Sequence, residues 1–346
     1  MRFALGLQAP AKLNLFLHVI GRRDDGYHEL QSVFVPIDLA DTIDLEIRDD
    51  GVLQRDGDIV GDLDRDLALR AARGLQAASG SRLGAIISIA KRIPAGSGLG
   101  GGSSDAAATL LALNRLWRLD WPRARLADLA ATLGADVPFF LGAGPAFVTG
   151  KGDRVETLDV PRKAATAADL DATRFTPSGG PIWAVVLWPQ VHVSTAEIFN
   201  APGLTRNHKA TTIRAFSEAW GGLKASAQSR ARSSAQSGAQ SSAQSGAQSG
   251  ARPGAGSGAK AALPRALAPL FGSNDLQEVT SRRYPEVAAA LQFLEQFGSA
   301  RMTGSGAAVF ALFALESDAR QVQRQAPAAC RCWVVRILEE HPLAPW

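Results

Sequence analysis

A glycine-rich segment, residues 94–105, has the residue types of a loop that binds phosphate. Glycine occupies five of the seven positions from 96 to 102, and a backbone without side chains can approach a ligand closely. Its N–H groups can then donate to phosphate oxygens, helped by the positive end of a helix that begins behind it. Serine hydroxyls after the glycines are further donors and can act as ligands of magnesium. We therefore predict a nucleotide phosphate site formed by Pro94, Ala95, Gly96, Ser97, Gly98, Leu99, Gly100, Gly101, Gly102, Ser103 and Ser104.

This loop differs from the two commonest nucleotide-binding loops. It does not end in the Gly-Lys-Ser/Thr of the common P-loop. Its run from Gly98 to Ser103 lacks the sixth-position glycine of the dinucleotide fingerprint and comes too late for a first βα unit. A flexible glycine linker is the alternative without a function, and Leu99 and the Ser-Ser-Asp sequence that enters an alanine-rich helix argue against it. The loop resembles the Gly-Leu-Gly-x-Gly-Ser-Ser loop of the GHMP kinases, the family of galactokinase, homoserine kinase and mevalonate kinase.

Further segments narrow the resemblance within this family. The Gly-Tyr-His sequence at 26–28 is the most specific of them, because it is typical of the GHMP enzymes that phosphorylate a cytidine diphosphate-linked methylerythritol in the non-mevalonate isoprenoid pathway. The resemblance covers nearly the whole chain except 160–180 and 221–262. The other matching segments are 9–17, 134–140, 194–199, 274–276 and 301–307.

The resemblance implies both a reaction and a fold. ATP is expected to phosphorylate the 2-hydroxyl of the methylerythritol moiety. The expected fold is α+β, with an N-terminal half like ribosomal protein S5 domain 2, a ferredoxin-like C-terminal half and the active site in the cleft between them. We expect an ATP-binding domain over residues 1–160 and a second domain over 161–346 that carries a low-complexity insertion at about 221–262.

Two charged residues are predicted to carry the chemistry. Phosphoryl transfer to a sugar-like hydroxyl needs a carboxylate that accepts the proton and positive charge beside the transferring group. The resemblance assigns these roles to Asp136 and Lys12. Asp136 lies in Gly-Ala-Asp-Val-Pro, where Pro138 restricts the preceding backbone, and an adjoining Lys12 would stabilise the carboxylate and orient the hydroxyl. Taken alone, the aspartate would be interpreted as a helix cap and the lysine as a surface residue.

The acceptor pocket is predicted from an aromatic pair. Tyr27 lies in a polar loop, and an aromatic face can stack on a cytosine ring. The resemblance implies that Tyr27 and Phe199 sandwich the cytosine, that His28 hydrogen-bonds it, and that Asn14 and Thr195 contact the substrate. Core packing at the end of a helix is the alternative for Phe199.

Three positions concern the nucleotide. Lys91 is expected near the adenosine by family position. Asp66 stands where the family usually has the asparagine that helps to read adenine, and an aspartate can accept from the exocyclic amine but cannot donate. The turn from Gly304 to Gly306 either places backbone N–H groups at the cleft or is only a tight turn before the next strand.

These residues need a scaffold of alternating strands and helices. Apolar runs predict strands, and alanine- and leucine-rich runs with acidic or proline starts predict helices. Such elements occur on both sides of the low-complexity segment, so we expect two α+β layers with a cleft between them. The predicted strands are 85–90, 146–149, 182–188, 307–313 and 332–338, and the predicted helices are 103–117 and 123–133.

The segment 221–262 has a different composition. It repeats Ala-Gln-Ser-Gly or Ala-Gln-Ser-Ser every four residues and has almost no large apolar side chain. Such a segment cannot offset the entropy of ordering, so we predict a largely disordered surface insertion. It holds five basic residues and no acid, and the net charge of the chain is +4, so the remainder carries −1. A near-neutral folded part does not indicate nucleic acid as a partner.

Composition favours a cytoplasmic enzyme. The chain has 346 residues and two cysteines, Cys330 and Cys332, too close for an easy disulfide and too few for a zinc site. Its start lacks the apolar region of a signal peptide, and no run of about 18 apolar residues suggests a membrane span. We expect ATP and Mg²⁺ as cofactors, a small-molecule substrate as the partner, and a monomer or weak homodimer.

Two other functions remain open at this point. Another GHMP kinase activity, on homoserine or on a mevalonate-pathway alcohol, would use the same phosphate loop. A catalytically silent nucleotide-binding protein, or an RNA-binding module built on the S5-like half, is the alternative from another class. The Lys12 and Asp136 pair argues against the silent protein, and the charge distribution argues against RNA.

Overall fold

A computed structural model describes residues 2–158, 180–245 and 264–346, with the backbone alone for 234–245. The expected domain boundary at 160/161 therefore lies outside the described residues, as does the second part of the low-complexity segment. In the ranges described, no helix combines the length and the hydropathy needed to cross a bilayer.

The first half is built on two long antiparallel strands. Residues Phe3–Arg22 form β1 and His28–Arg48 form β2, in a register that pairs Lys12 with Pro36 and Asn14 with Phe34. They belong to a six-stranded sheet in which β2 also pairs with β4 and β5. The remaining elements of this half are β3 (Leu53–Gly57), α1 (Leu67–Ser79), β4 (Gly84–Ala90), α2 (Gly101–Leu116), α3 (Arg123–Leu133), α4 (Val137–Phe140), β5 (Ala146–Thr149) and β6 (Arg154–Thr157).

The glycine-rich loop connects β4 to α2, as the sequence predicts. The strand expected at 85–90 and the helix expected at 103–117 are both present, and the helix begins two residues earlier. Nearly every residue of α2 from Ser104 onward is buried, because its alanines allow α1 and the sheet to approach it closely. A helix fixed in this way holds the loop at its N-terminus in a defined position.

The second half contains a four-stranded antiparallel sheet with the strand order β10-β7-β9-β8. Four strands and their intervening helices follow each other as a βαββαβ unit, and its strand order 4-1-3-2 is ferredoxin-like. The predicted α+β class and the predicted ferredoxin-like half are thus confirmed. The elements are β7 (Trp183–Trp188), α5 (Thr195–Phe199), α6 (Ile213–Ser245), α7 (Gln277–Arg283), α8 (Pro285–Glu295), β8 (Ala300–Met302), β9 (Val309–Phe313), α9 (Glu316–Arg324) and β10 (Arg331–Arg336).

The two sheets share an apolar core. Side chains of β1 and β2 pack against β7, β9 and α6 in one buried cluster, and the loop residue Leu99 lies in the same cluster. Backbone bonds join the halves as well, since Leu17 donates to Ser273 O and Asp275 donates to Leu17 O. Because packing fixes the two sheets against each other, side chains from both can form one site.

Helix α6 corrects the prediction for residues 221–262. The sequence predicts disorder from residue 221, whereas α6 continues to Ser245. Its apolar stripe explains the first turns: Phe216, Trp220, Leu223 and Ala227 recur at helical spacing and are all buried. The folded helix therefore extends into the segment that composition alone assigned to the insertion. Residues 246–262 of that segment lie outside the described residues.

Candidate active site

Two cavities meet at the glycine-rich loop. The first, the acceptor cavity, has a volume of about 760 Å³ and is lined by residues from β1, the β1–β2 turn, β2, the segment before α4, α5 and the turn 303–306. The second, the nucleotide cavity, has about 520 Å³ and is lined by the loop itself, the end of β4 and the segment before α1. Gly98 and Gly100 line both. A phosphoryl group bound at these two glycines would lie between a nucleotide and an acceptor.

Lys12 lies at this junction and is almost fully buried, at 2% exposure. Strand β1 positions it, and its backbone N–H donates to Leu99 O of the loop at 2.9 Å. Its ammonium donates to Asn14 Oδ1 at 2.5 Å, lies 3.5 Å from Asp136 Oδ2 and sits over the Phe34 ring. Burial lowers the pKa of Lys12, and the charge of Asp136 opposes that shift.

Asp136 presents a free carboxylate at the same place. It is the residue before α4, but its side chain accepts no capping hydrogen bond, so the helix-cap interpretation does not apply. Its side chain is about one-third exposed, at 32%, and lines the acceptor cavity. The Pro138 ring at the helix start fixes the backbone that carries it. The carboxylate is therefore positioned to accept a proton from a bound hydroxyl.

The glycines of the loop allow close packing around it, against the second half at Gly98 and within the first half at Gly100. A Cβ on Gly98 would lie 2.4 Å from Thr303 O, and one on Gly100 would lie 2.9 Å from the Phe140 ring. Gly100 is also the N-cap of α2 and leaves its first N–H groups without a side-chain acceptor. Such a helix end favours an anionic ligand such as phosphate.

Most of the predicted nucleotide residues line the nucleotide cavity. Leu99 and Ser104 do not: the Leu99 side chain is fully buried, and the Ser104 hydroxyl is buried without a hydrogen-bond partner in the part of the chain described. For the others, binding of the nucleotide stays a prediction, and their position in the lining of this cavity supports it. Those in the lining are Lys91, Pro94, Ala95, Gly96, Ser97, Gly98, Gly100, Gly101, Gly102 and Ser103.

Lys91 is held by two carboxylates in the wall of the nucleotide cavity. Its ammonium contacts Asp41 Oδ2 at 2.5 Å and Asp105 Oδ2 at 2.6 Å. Burial opposes the charge of Lys91, but the two carboxylates outweigh it and raise the pKa of Lys91. Burial of Asp105 raises the pKa of that carboxyl to about 7 against the effect of the ammonium.

Asp105→Asn is expected to flatten the pH dependence of stability. Because the folded-state pKa of Asp105 is about 7 and its ordinary value is 3.8, the folded state holds a proton that the unfolded chain has lost. Stability therefore falls as pH rises from about 4 to about 7, by about 1 to 3 kcal/mol. Urea unfolding at pH 5 and pH 8 measures this difference. The surface change Asp128→Asn should leave it unaltered, and an equal fall in Asp105→Asn would contradict the expectation.

Asp66, at the position where the family resemblance implies an asparagine, has a structural role. Its Oδ1 accepts from the N–H of Leu69 and caps α1, while its Oδ2 accepts from Arg55 Nε at 3.1 Å. The Arg55 side chain is 2% exposed, and a buried guanidinium requires a partner. Both Asp66 oxygens are thus engaged by the protein, at a position that also lines the nucleotide cavity.

Asp66→Asn is expected to destabilise the fold by about 1 to 3 kcal/mol. Asparagine caps a helix as well as aspartate does, so the loss comes from the charge opposite Arg55. Urea unfolding measures it, with Asp62→Asn, a cap of an exposed turn, as the matched control. A variant as stable as the wild type would show that Arg55 needs no counter-charge.

The predicted acceptor residues all line the first cavity. Tyr27 is 59% exposed at its mouth with Lys151 over its ring, and the His28 and Phe199 rings stack at 5.1 Å and 29°. Thr195 bonds the Ser305 hydroxyl at 2.8 Å. Phe199 is only partly buried, so the core-packing interpretation does not describe it fully.

Asn14 lines the acceptor cavity, but its side-chain oxygen is hydrogen-bonded within the protein. Its Oδ1 accepts from Lys12, from Thr303 Oγ1 at 3.1 Å and from Gly304 N at 2.9 Å. The N–H of Gly306 donates to Thr303 O. Two N–H groups of the 304–306 turn are therefore engaged internally, which favours the tight-turn interpretation for them while the turn still lines the cavity.

The sequence did not reveal three residues that contact the site from positions far away in the chain. Asp41 binds Lys91 across 50 positions, and Arg206 binds His28 across 178. His192 packs on the loop so closely that a Cβ on Gly96 would lie 1.9 Å from its ring. No periodicity or motif marks these three, so local sequence offered no signal for them.

Comparison with known proteins gives a consistent result. The chain matches the GHMP kinases N terminal domain over residues 66–144 and the GHMP kinases C terminal domain over 259–332. It is 46% identical over 337 residues to the 4-diphosphocytidyl-2-C-methyl-D-erythritol kinase of Thiobacillus denitrificans, covering 97% of this chain and 96% of that protein. The same enzyme of Aromatoleum aromaticum is 42% identical, covering 98% and 95%.

Solved structures agree in fold. A crystal structure of 4-(cytidine 5'-diphospho)-2C-methyl-D-erythritol kinase matches with a TM-score of 0.67 and 31% identity, over 97% of this chain and 98% of that one. Homoserine kinase from Cytophaga hutchinsonii matches with a TM-score of 0.56 at 15% identity, covering 98% and 95%, and so shares the fold alone.

Proposed function

Since the chain belongs to the GHMP kinases, and within them to the 4-diphosphocytidyl-2-C-methyl-D-erythritol kinases, we propose that the two cavities bind ATP and this substrate on either side of the glycine-rich loop. The reaction phosphorylates the 2-hydroxyl of 4-diphosphocytidyl-2-C-methyl-D-erythritol and releases ADP, in the non-mevalonate pathway to isoprenoid precursors. The observation that carries the proposal is the Lys12–Asp136 pair, 3.5 Å apart where the cavities meet.

In the proposed mechanism the two charged groups have different roles. Asp136 accepts the proton of the 2-hydroxyl as the oxygen attacks the γ-phosphorus of ATP. Lys12 orients that hydroxyl and places positive charge beside the transferring group, where burial makes its electrostatic effect larger than in water. Its own position is fixed by Asn14 and by the backbone of the loop.

The nucleotide is proposed to bind with its phosphates on the loop. The uncapped start of α2 and the loop N–H groups supply donors, and Lys91 forms part of the wall beside the adenosine. We propose that Mg²⁺ accompanies ATP, since the Ser103 hydroxyl offers an oxygen of the type it prefers at the edge of this cavity. The ion supplies charge neutralisation at the phosphates when bound.

The acceptor cavity is proposed to hold the cytidine end of the substrate. Tyr27 and Phe199 line it as the two rings proposed to sandwich the cytosine, and His28, whose ring stacks on Phe199, is proposed as its hydrogen-bonding partner. Thr195 and Asn14 line the path from there to Lys12. The cytoplasmic location remains a prediction from composition, and the monomeric or weakly dimeric state remains an expectation that composition does not decide.

An ADP-release assay with several acceptors tests the proposal. We expect ADP release with 4-diphosphocytidyl-2-C-methyl-D-erythritol in the presence of Mg²⁺, and neither with homoserine nor with mevalonate. Omission of Mg²⁺ should abolish turnover. Release with one of the other alcohols in place of the cytidine compound, or tight RNA binding at moderate salt without any turnover, would contradict the assignment.

A further inference from the structure

Arg206 hydrogen-bonds the Nε2 atom of the His28 ring. Its Nε donates to His28 Nε2 at 3.0 Å, while its other nitrogens donate to the carbonyl oxygens of Phe199, Ala201 and Leu204. One guanidinium therefore fixes both the imidazole and the chain segment that carries its aromatic neighbour Phe199. This contact joins the segment after α5, to which Arg206 belongs, to His28 at the start of β2.

This hydrogen bond determines which nitrogen of His28 carries the proton. A guanidinium has donors only, so the bonded Nε2 must be the acceptor. A neutral imidazole with an acceptor at Nε2 carries its hydrogen on Nδ1. Burial, Arg206 and Arg22 all lower the pKa of His28 and so favour the neutral form. Within the described ranges no residue hydrogen-bonds Nδ1, and His28 lines the acceptor cavity.

We propose that Arg206 is a positioning residue that makes the enzyme select cytosine over uracil, by holding His28 as the tautomer that donates from Nδ1. The inference rests on the proposed function, since it takes the cytosine to lie beside His28. It adds a residue and a basis for specificity that neither the phosphate loop nor the Lys12–Asp136 pair requires.

The two pyrimidines differ at the atom that such a donor would meet. Cytosine N3 is an acceptor, whereas uracil N3 carries a hydrogen and is a donor. An Nδ1–H on His28 matches cytosine and opposes the N3–H of uracil. Without Arg206 the ring could move its hydrogen to Nε2 and offer Nδ1 as an acceptor, which would fit uracil. A polar mismatch of this kind is what lets a binding site reject a close analogue.

The test compares turnover of the cytidine and uridine forms of diphospho-methylerythritol. In Arg206→Met, the ratio of kcat/KM for cytidine over uridine is expected to fall by about 10-fold, through a higher KM for cytidine and little change in kcat. Arg22→Met is the matched control: it removes a positive charge near His28 without removing the hydrogen bond, and its ratio should equal that of the wild type.

Each outcome decides between a specific and a general role. A ratio unchanged in Arg206→Met, or an equal loss for both substrates, would overturn the proposal and leave Arg206 as a residue that only supports the fold. The same fall in Arg22→Met would assign the effect to charge. If the wild type fails to phosphorylate the cytidine compound at all, the proposed function fails first, and this is measured before any variant.

Imidazole nitrogen shifts provide a second test that needs no turnover. In protein labelled with ¹⁵N-histidine, which has five such residues, the wild-type His28 ring should show hydrogen on Nδ1 and none on Nε2. Arg206→Met should shift that pattern towards hydrogen on Nε2, whereas Arg22→Met should not. A wild-type ring with hydrogen on Nε2 would contradict the proposal even if the Arg206 variant did not fold.

Discussion

Asp136→Asn is expected to lower kcat by about 10²- to 10⁴-fold, the usual contribution of a general base. Asparagine has nearly the same shape but cannot accept the proton of the attacking hydroxyl. Because the Asp136 side chain is one-third exposed and caps no helix, and because the Lys12 ammonium keeps its hydrogen bond to Asn14, the variant should still fold, at a smaller cost in stability than Asp66→Asn. Single-turnover measurement of phosphoryl transfer with saturating ATP and alcohol would give this loss directly.

The control for this variant is a carboxylate just outside the same cavity. KM for both substrates should change by less than the loss in kcat, because Asp136 is expected to act mainly in the transition state. Asp153→Asn, a change beside the cavity residue Lys151, should retain near-normal turnover. Near-normal turnover in Asp136→Asn itself would remove Asp136 from the mechanism and leave the alcohol to lose its proton to another acceptor.

Local sequence predicts the strands and helices that carry the site better than it predicts which distant residues contact the site residues. The strand, glycine loop and helix that form the phosphate site follow one another in the chain, so their types and order are visible in a short window. The apolar strands β7 and β9 are visible for the same reason. The resemblance added Lys12 and Asp136, which no periodicity would have brought together.

The contacts that could not be predicted join positions far apart in the chain. Asn14 is fixed by Thr303 and Gly304, across 289 and 290 positions, and this fixes Lys12 in turn. Such a contact depends on how the two sheets pack, and packing is a property of the whole fold. Helix α6 shows the opposite error. The composition of residues 221–262 predicts disorder, but an apolar stripe in the first turns of α6 supports a helix that continues into this segment.

The role of Asp66 likewise depends on a contact that the sequence does not show. By family position an asparagine is expected there for adenine, and the aspartate reads as a weakness in nucleotide recognition. The structure places a buried Arg55 opposite it, so the charge of Asp66 has a partner within the fold. A residue at a predicted binding position can therefore also serve the protein core behind it.

Lys12→Met is expected to lower kcat by about 10²- to 10³-fold, as the loss of one preorganised donor does in other enzymes, without destabilising the fold. Methionine matches the lysine stem in length and fills the same buried space. Asn14 Oδ1 still accepts from Thr303 and Gly304, and the partly exposed Asp136 keeps access to water. Replacing a buried charge by an apolar side chain is often neutral or stabilising.

The pH dependence of stability distinguishes the loss of the Lys12 ammonium from a general destabilisation of the fold. Burial lowers the pKa of Lys12 below 10.5, so the folded state loses its proton before the unfolded chain does. Wild-type stability therefore gains from Lys12 as pH rises towards 10.5, and Lys12→Met should lack that gain. Lys224→Met is the matched control, because Lys224 is also buried but pairs with Glu339 away from the loop. By the same argument it should keep the fold stable, and it should also retain turnover, so only the Lys12 change is expected to lower kcat. A Lys12 variant that unfolds readily would show instead that the ammonium holds the two halves together.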